Sequence, residues 1–262
     1  MVLLLIITIS PYPWLRGYDS SQTIIRRIQP PEGYRRIEAS PFGEWLRHLP
    51  LKRGRPPVYL YNGRKKADQT VHHAVVDLDV GDEDLQQCAD AIIRLRAEYL
   101  YQRGCFDSIG FLITSGDWIR FRKWISGFRP VVRGNRVTWI RKGISDSSYQ
   151  SFREYLRFIF KYAGTYSLAK ELKKTDPADP QIGDVFIQPG FPGHAILIID
   201  LARDPRTGKM VMLLGQSFLP AQDFHILNNP ENPSLSPWYE VKEGGELITP
   251  EWEFDFGDLS RW

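Results

Sequence analysis

Two long apolar runs separated by a single turn constrain the fold of this chain more than any other feature. In residues 193–218 (GHAILIIDLARDPRTGKMVMLLGQSF), two apolar stretches flank a turn segment that contains Asp204, Pro205 and Gly208. These three residue types are typical of turns, and short runs rich in Ile, Leu and Val are typical of buried strands. The pattern predicts a buried antiparallel hairpin.

The register of this hairpin decides whether two polar side chains meet. If the fold point lies near Pro205, His194 falls opposite Gln216. Opposed Cβ atoms on one face of an antiparallel pair lie ~4.5–5.5 Å apart, so we expect the Gln216 amide to reach the His194 imidazole. A shift of one residue would remove this contact.

A long amphipathic helix is predicted from Asp84 to Arg103, because apolar side chains recur there at spacings of three and four. Asp84 and Gln87 fit a capping box, and Gly104 provides a C-terminal stop. This start places Cys88 about one turn inside the helix.

A second helical pattern, around residues 147–174, contains Gly164, which we expect to divide it into two helices.

With 42% apolar residues, the chain can bury a sizeable core. We interpret residues 1–27 as an N-terminal apolar segment and linker. Residues 28–262 are interpreted as a single α+β domain that carries the helices around 147–174 as an insertion.

The opening sequence MVLLLIITIS is apolar over about half of the roughly 20 residues that a membrane span needs, and it lacks the basic flank of a signal peptide. It can be a signal remnant or a first strand. We expect no transmembrane span, and we favour a secreted or periplasmic location.

The charge is distributed unevenly along the chain. Residues 1–70 carry twelve Lys or Arg against five Asp or Glu, whereas residues 223–262 carry two against nine. The basic stretches are interrupted by prolines and glycines and have no helical period that would align them with a DNA groove. We therefore expect a solvated face that pairs with the acidic tail, and no nucleic-acid partner.

The residues with potential chemistry are a thiol, an imidazole and an amide. Cys88 lies early on the predicted helix, and a helix N-terminus and a nearby imidazole both activate thiols. His194 at the start of a strand, oriented by Gln216, fits the base and the third residue of a nucleophilic triad. Cys105 lies 17 residues from Cys88, or about 25 Å along one helix, so we expect two free thiols.

Three further residues are candidates for substrate binding. Gln87 and the backbone N–H of Cys88 can serve as oxyanion donors. Gly193 lies in a stretch of glycines and prolines where a substrate can approach the backbone closely. His225 is a reserve candidate at the same end of the hairpin. The sequence contains no zinc-ligand spacing, phosphate loop or dinucleotide fingerprint, so we predict neither a metal nor a cofactor.

The chain has a cysteine early on a helix, then a histidine that opens a strand, then a polar residue that ends the next strand. This order of residues resembles the papain-like fold of NlpC-type cysteine peptidases and amidases. The stretches QQCADAIIRLRAEYLY, YAGTYSLAKEL, GHAILIIDLA, LLGQSFLPAQDFHIL and PWYEV are more closely similar to an uncharacterised bacterial family known as a domain of unknown function. That second resemblance extends from about Ile28 onward. The first implies a helix carrying Cys88 packed on a mainly antiparallel sheet carrying His194, and hydrolysis of an amide bond in a cell-envelope peptide or glycopeptide. It also implies Cys88 as nucleophile, His194 as base and Gln216 as third residue.

The chain departs from the papain-like pattern in ways that keep an alternative open. The interval from Cys88 to His194 is 106 residues, longer than in compact members, and acidic residues surround Cys88 and disfavour a thiolate. Cys88 can be a plain core side chain, and His194 can simply end its strand. The alternative function is a non-catalytic peptide- or glycan-binding module of the same fold. The sequence leaves the oligomeric state open.

Overall fold

The structure, a computed structural model, describes residues 10–262, so nearly all of the apolar opening lies outside the described residues. The helices are α1 (Ile24–Arg27), α2 (Pro41–Arg47), α3 (Cys88–Gln102), α4 (Phe121–Ile125), α5 (Tyr149–Tyr162) and α6 (Thr165–Glu171). The strands of the first half are β1 (Arg35–Arg36), β2 (His72–Val75), β3 (Gly110–Leu112), β4 (Trp118–Arg120), β5 (Phe128–Arg133) and β6 (Arg136–Arg141). The strands of the second half are β7 (Lys173–Lys174), β8 (Val185–Gln188), β9 (His194–Arg203), β10 (Met210–Gln216), β11 (His225–Leu227), β12 (Trp238–Glu240), β13 (Glu246–Ile248), β14 (Glu253–Asp255) and β15 (Leu259–Arg261).

One sheet of nine strands forms the centre of the fold. Its main order is β2-β11-β10-β9-β8-β15-β7, with β1 added to β9 and β12 added to β10. Every strand pair in this sheet is antiparallel. The protein is therefore an α+β protein with a mainly antiparallel sheet, as the apolar runs of β9 and β10 predict.

The predicted hairpin is β9 and β10, but its register was predicted wrongly. The turn is closed by a backbone hydrogen bond of 2.9 Å from the N–H of Asp204 to the carbonyl of Lys209, so the chain reverses later in the sequence than the expected point near Pro205. A bulge follows in the strand pair at Leu213/Leu214. The last paired residues are Gly215 and Leu197, so Gln216 is level with Ile196 rather than with His194. His194 and Ile196 are two residues apart and face the same side of the strand, so Gln216 still approaches His194, along a diagonal.

Helix α3 packs against β9, and its start was also predicted wrongly. It begins at Cys88 with Gln87 as the N-cap, whose backbone N–H donates to Asp90 Oδ2 at 3.2 Å. The Asp84 carboxylate instead accepts from the backbone N–H of Ala221 at 2.7 Å. Because Asp84 is engaged with a distant loop, Asp90 serves the helix end, and Cys88 occupies the first helical position.

The remaining predictions of secondary structure were confirmed in outline. The helical pattern around 147–174 forms α5 and α6, separated at Gly164, and the helix predicted to stop at Gly104 ends at Gln102. The basic N-terminal region pairs with the acidic tail through Lys52 with Asp223 at 2.8 Å and through Lys66 with Glu251, but the Asp223, Lys66 and Glu251 side chains are largely buried rather than on the solvated face that was expected. In residues 10–262, no helix has the length and apolarity needed to cross a membrane.

Candidate functional site

The Cys88 thiol lies where the start of α3 meets the start of β9. The backbone N–H groups of Ala89, Ala195 and Cys88 itself lie close to the sulfur and lower the pKa of the thiol. Ala195 follows His194 in β9, so the thiol and the imidazole belong to neighbouring points of the fold. The first N–H groups of a helix have no partner within the helix, which makes this position suited to negative charge.

Burial nevertheless dominates the electrostatics of the thiol. Only 6% of Cys88 is exposed, and this burial, followed by the charge of Asp90, raises the pKa of the thiol to about 12. Burial also raises the pKa of the Asp90 carboxyl well above its usual range. The resting thiol is therefore protonated at neutral pH.

His194 lies fully buried at the first position of β9, enclosed by the rings of Phe218, Trp252 and Phe254. Burial lowers the pKa of the imidazole to about 4, so the ring is neutral at pH 7. Its Nε2 lies 2.7 Å from Gln216 Oε1. Its Nδ1 is buried and has no hydrogen-bond partner among residues 10–262.

The Gln216 amide makes further hydrogen bonds on its nitrogen. Gln216 Nε2 donates to Glu251 Oε2 at 2.8 Å and lies 3.4 Å from Nε2 of His225. The other carboxylate oxygen of Glu251 contacts the ammonium of Lys66, and both side chains are largely buried. As the partner of Lys66 in this ion pair, the Glu251 carboxylate only accepts hydrogen bonds.

These contacts determine which nitrogen of His194 carries the proton. His225 Nδ1 donates to the carbonyl of Asp223 at 2.9 Å, which leaves a lone pair on its Nε2. The Gln216 NH2 group therefore has two acceptors, Glu251 and His225, and its oxygen must face His194. A neutral imidazole has one donor and one acceptor nitrogen, so His194 donates from Nε2 and carries its lone pair on Nδ1.

A cavity of about 380 Å³ opens beside the thiol. Its lining includes Cys88, Gln87 and the loop 190–193, of which Phe191 is 82% exposed. Gly193 is also in the lining, and a Cβ at this position would fall 2.4 Å from Thr165 Oγ1 and 2.6 Å from the carbonyl oxygen of Gln188. Only glycine fits at this point in the cavity wall.

Two predicted binding residues have different surroundings from those expected. The Gln87 amide lines the cavity but already donates to Asp84 Oδ1 at 3.1 Å, with one hydrogen left for a ligand. His225 is buried behind Gln216, directly opposite it in the pairing of β11 with β10, and is absent from the cavity lining. Burial lowers the pKa of His225 to about 3. His225 therefore contacts the Gln216 amide and, like His194 and Gln216, does not line the cavity, so a role for it in substrate binding stays a prediction.

Lys66 and Glu251 were not found by sequence reasoning. They lie 185 residues apart in the chain, and no local spacing links either to His194. The only signal was the general charge complementarity between the N-terminal region and the tail. Cys105, in contrast, is a free and exposed thiol remote from these contacts.

Within residues 10–262, no group of three or more His, Cys, Asp or Glu side chains is arranged to hold a metal ion. No curated protein and no solved structure matches the chain. A family model described as a domain of unknown function (4846) matches residues 24–261, which is most of the chain. The chain therefore belongs to this family of domains of unknown function.

Proposed function

We propose that the protein is a papain-like cysteine hydrolase of the NlpC type, which cleaves an amide bond in a cell-envelope peptide. The observation that carries the proposal is the hydrogen bond between His194 Nε2 and Gln216 Oε1, made at the start of the strand whose next residue, Ala195, has its N–H group close to the Cys88 sulfur. A general base has to lie within hydrogen-bond reach of the proton that it removes, so the proposal includes a side-chain movement that brings His194 Nδ1 to the Cys88 thiol, with which it makes no hydrogen bond in the resting protein.

The reaction can be written with the residues present. His194 Nδ1 takes the proton of the Cys88 thiol as the sulfur attacks the carbonyl carbon of the substrate. The backbone N–H of Cys88, and the remaining hydrogen of the Gln87 amide, can donate to the oxyanion. The protonated His194 then gives its proton to the leaving amine, and a thioester forms. Water, deprotonated by the same imidazole, hydrolyses the thioester and restores the thiol.

The raised thiol pKa defines how such an enzyme would work. With the pKa of Cys88 raised to about 12 and that of His194 lowered to about 4, the resting pair is neutral rather than an ion pair. Proton transfer would then accompany attack on the substrate, as in a serine hydrolase, and the resting thiol would react slowly with small electrophiles at neutral pH.

The second candidate function is a non-catalytic peptide- or glycan-binding module. The observation that favours it is the burial of Cys88, together with the lack of a hydrogen bond between His194 Nδ1 and any described residue. In this reading, the cavity holds a ligand through its apolar loop, and the polar residues form a structural network.

Labelling of the two cysteines by iodoacetamide separates the candidates, because exposed Cys105 is an internal reference on the same chain. Mass spectrometry of the peptides gives the labelling rate of Cys88 relative to that of Cys105. For the hydrolase, we expect this ratio to fall at least about tenfold in His194→Ala, a loss within the typical contribution of a general base. A ratio that does not change in His194→Ala, with Cys88 labelled only on unfolding, supports the binding module.

Cleavage is tested separately with fragments of cell-envelope peptide. The intact chain is incubated with them, and new amino groups are counted by mass spectrometry. Cys88→Ala, which keeps a small buried side chain, is the matched inactive control. Cleavage that persists in Cys88→Ala would contradict the proposed nucleophile.

A further inference from the structure

A second basic region lies outside the central sheet. Residues 118–145 contain eight Lys or Arg and no Asp or Glu. They form β4, α4 and the β5–β6 hairpin, in which all of these cations except Arg129 are exposed. Arg129 instead packs on the ring of Trp124, 4.1 Å from its centroid.

Fewer cations of this region are paired than in the N-terminal basic region. Five of the twelve Lys or Arg residues in residues 10–70 form salt bridges, and two of them, Lys52 and Lys66, pair with carboxylates of the tail. Among the cations of residues 118–145, only Arg122 forms a salt bridge within the described part of the chain, with Asp107. An uncompensated patch of one sign attracts polyanions and anionic surfaces.

Large apolar side chains lie exposed among these cations. Trp118 is 46% exposed, Ile140 41% and Ile144 86%. A shallow cavity of about 350 Å³ is lined there by Trp118, Arg120, Arg122, Lys123, Ser126 and Trp139. Lys123 Nζ lies 4.4 Å from the centroid of the Trp139 ring, so cations and indole rings share one surface.

We infer that this surface, residues 118–145, docks the protein on an anionic lipid bilayer. The cations match the phosphate groups of anionic lipids, and the cavity between Trp118 and Trp139 has room for a headgroup phosphate. Indole rings favour the boundary between headgroups and acyl chains. Ile140 follows Trp139 in β6 and therefore points to the other face of the two-stranded β5–β6 hairpin. Exposed Ile140 and Ile144 gain by leaving water when this hairpin enters the acyl region, whereas a nucleic acid or an anionic glycan offers an isoleucine no such environment. The inference is independent of the chemistry of Cys88.

Co-sedimentation with vesicles tests this docking surface in the intact chain. We expect binding to vesicles of three parts phosphatidylcholine and one part phosphatidylglycerol, and at least tenfold weaker binding to phosphatidylcholine alone. Binding to the anionic vesicles should weaken strongly between 0.1 M and 0.5 M NaCl, because salt screens surface charge. Equal binding to both vesicle types would overturn the inference.

Two charge-matched variants locate the surface. Arg136→Glu/Arg141→Glu/Lys142→Glu should weaken binding to anionic vesicles at least tenfold. Arg26→Glu/Arg64→Glu/Lys65→Glu changes the same number of exposed cations elsewhere and should weaken it far less. If both variants bind equally, the interaction is either nonspecific attraction or a property of the apolar N-terminal segment, and the inference is wrong. Circular dichroism establishes that each variant is folded.

Replacing the isoleucines distinguishes lipid from other polyanions. Ile140→Ser/Ile144→Ser leaves the charge unchanged and should weaken vesicle binding several-fold. The same variant should bind heparin and duplex DNA no differently from the parent chain. If the isoleucine variant binds vesicles as well as the parent does, or if heparin or DNA is bound more tightly than anionic vesicles, the partner is a polyanion in solution rather than a bilayer.

Discussion

Gln216 donates a hydrogen bond from Nε2 to Glu251 Oε2 at 2.8 Å. This contact orients the amide so that its oxygen faces His194, and it thereby leaves the Nδ1 lone pair available. Lys66 balances the charge of Glu251. Glu251 therefore determines which nitrogen of His194 carries the proton, although Glu251 does not itself contact His194.

Removing the Glu251 carboxylate should loosen this arrangement. We expect Lys66→Met/Glu251→Met, which leaves no unpaired buried charge, to lower the His194-dependent labelling rate of Cys88 about tenfold. A hydrogen bond to a charged group is worth about 1.5–3 kcal/mol, and about 1.4 kcal/mol corresponds to a factor of ten. Nitrogen NMR of the imidazole should show the Nδ1–H form of His194 appearing in this variant.

Glu251→Gln is the conservative control, because its amide oxygen can still accept from Gln216. It should keep most of the labelling rate and the Nε2–H form of His194. If the double methionine variant keeps the parent His194 tautomer, the amide is oriented by His225 alone and Glu251 has no positioning role.

The helix and strands of this site could be predicted from sequence, but the exact start of the helix and the register of the strands could not. Residue periodicity located α3, β9 and β10, because each buries a face whose spacing is visible locally. The start of α3 was misplaced because Asp84 contacts Ala221, 137 residues away, and this contact competes with capping. The hairpin register depended on a turn and a bulge that apolar patterning does not encode.

The network behind Gln216 was beyond sequence reasoning for a different reason. Glu251 meets Gln216, and Lys66 meets Glu251, only after the tail has folded back onto the sheet. Nothing in the sequence distinguishes Glu251 from the other acidic residues among the nine of the tail. The burial of Cys88 was foreseen as an alternative from its place in the apolar stripe, but its position at the helix end was not.

Asp90 should control the acidity of the thiol. Its charge is the second cause, after burial, of the raised pKa of Cys88. Because burial also raises the pKa of the Asp90 carboxyl, we expect Asp90→Asn to raise the labelling rate of Cys88 several-fold only above the pH at which this carboxyl ionises, where less negative charge then opposes the thiolate. The asparagine oxygen can still accept from the N–H of Gln87, so the helix cap is preserved.

Asp82→Asn is the matched control, because Asp82 is also an acidic neighbour in sequence but its side chain is 88% exposed. The labelling rate of Cys88 should be unchanged in this variant. If the Asp90 and Asp82 variants label alike, the Asp90 carboxyl is already neutral in the folded protein and burial alone raises the thiol pKa.

The two buried histidines should make the protein sensitive to mild acid. The pKa of His194 is lowered to about 4 and that of His225 to about 3, against about 6.5 in an unfolded chain. The unfolded state therefore binds more protons in this range. Stability from each group is fully present above pH 6.5 and is lost as the pH falls towards its folded pKa.

Between pH 6.5 and pH 5, each histidine should remove about 1.6 kcal/mol from the free energy of unfolding, because the slope rises from half of about 1.4 kcal/mol per pH unit at pH 6.5 to nearly all of it at pH 5. Urea unfolding of the parent chain at both pH values measures this loss. His225→Asn can still donate to the Asp223 carbonyl but does not titrate, so it should lose about 1.6 kcal/mol less than the parent. An equal loss in both proteins would mean that His225 is not buried as a neutral group.

The fold itself depends on a buried carboxylate on the far part of β9. Asp200 is fully buried, and its two oxygens accept from Nε of Arg36 and Nε of Arg47, each at 2.6 Å. Removing one member of a buried ionic network leaves the other charges uncompensated, which costs about 3–5 kcal/mol. We therefore expect Asp200→Ala to lower the free energy of unfolding by that amount at pH 7, measured by urea denaturation.

Arg53→Ala breaks an ion pair in which the arginine side chain is 80% exposed, and should change stability by less than about 1 kcal/mol. If the two variants lose similar stability, the arginines re-solvate when Asp200 is removed, and the network does not hold β1 and α2 against β9.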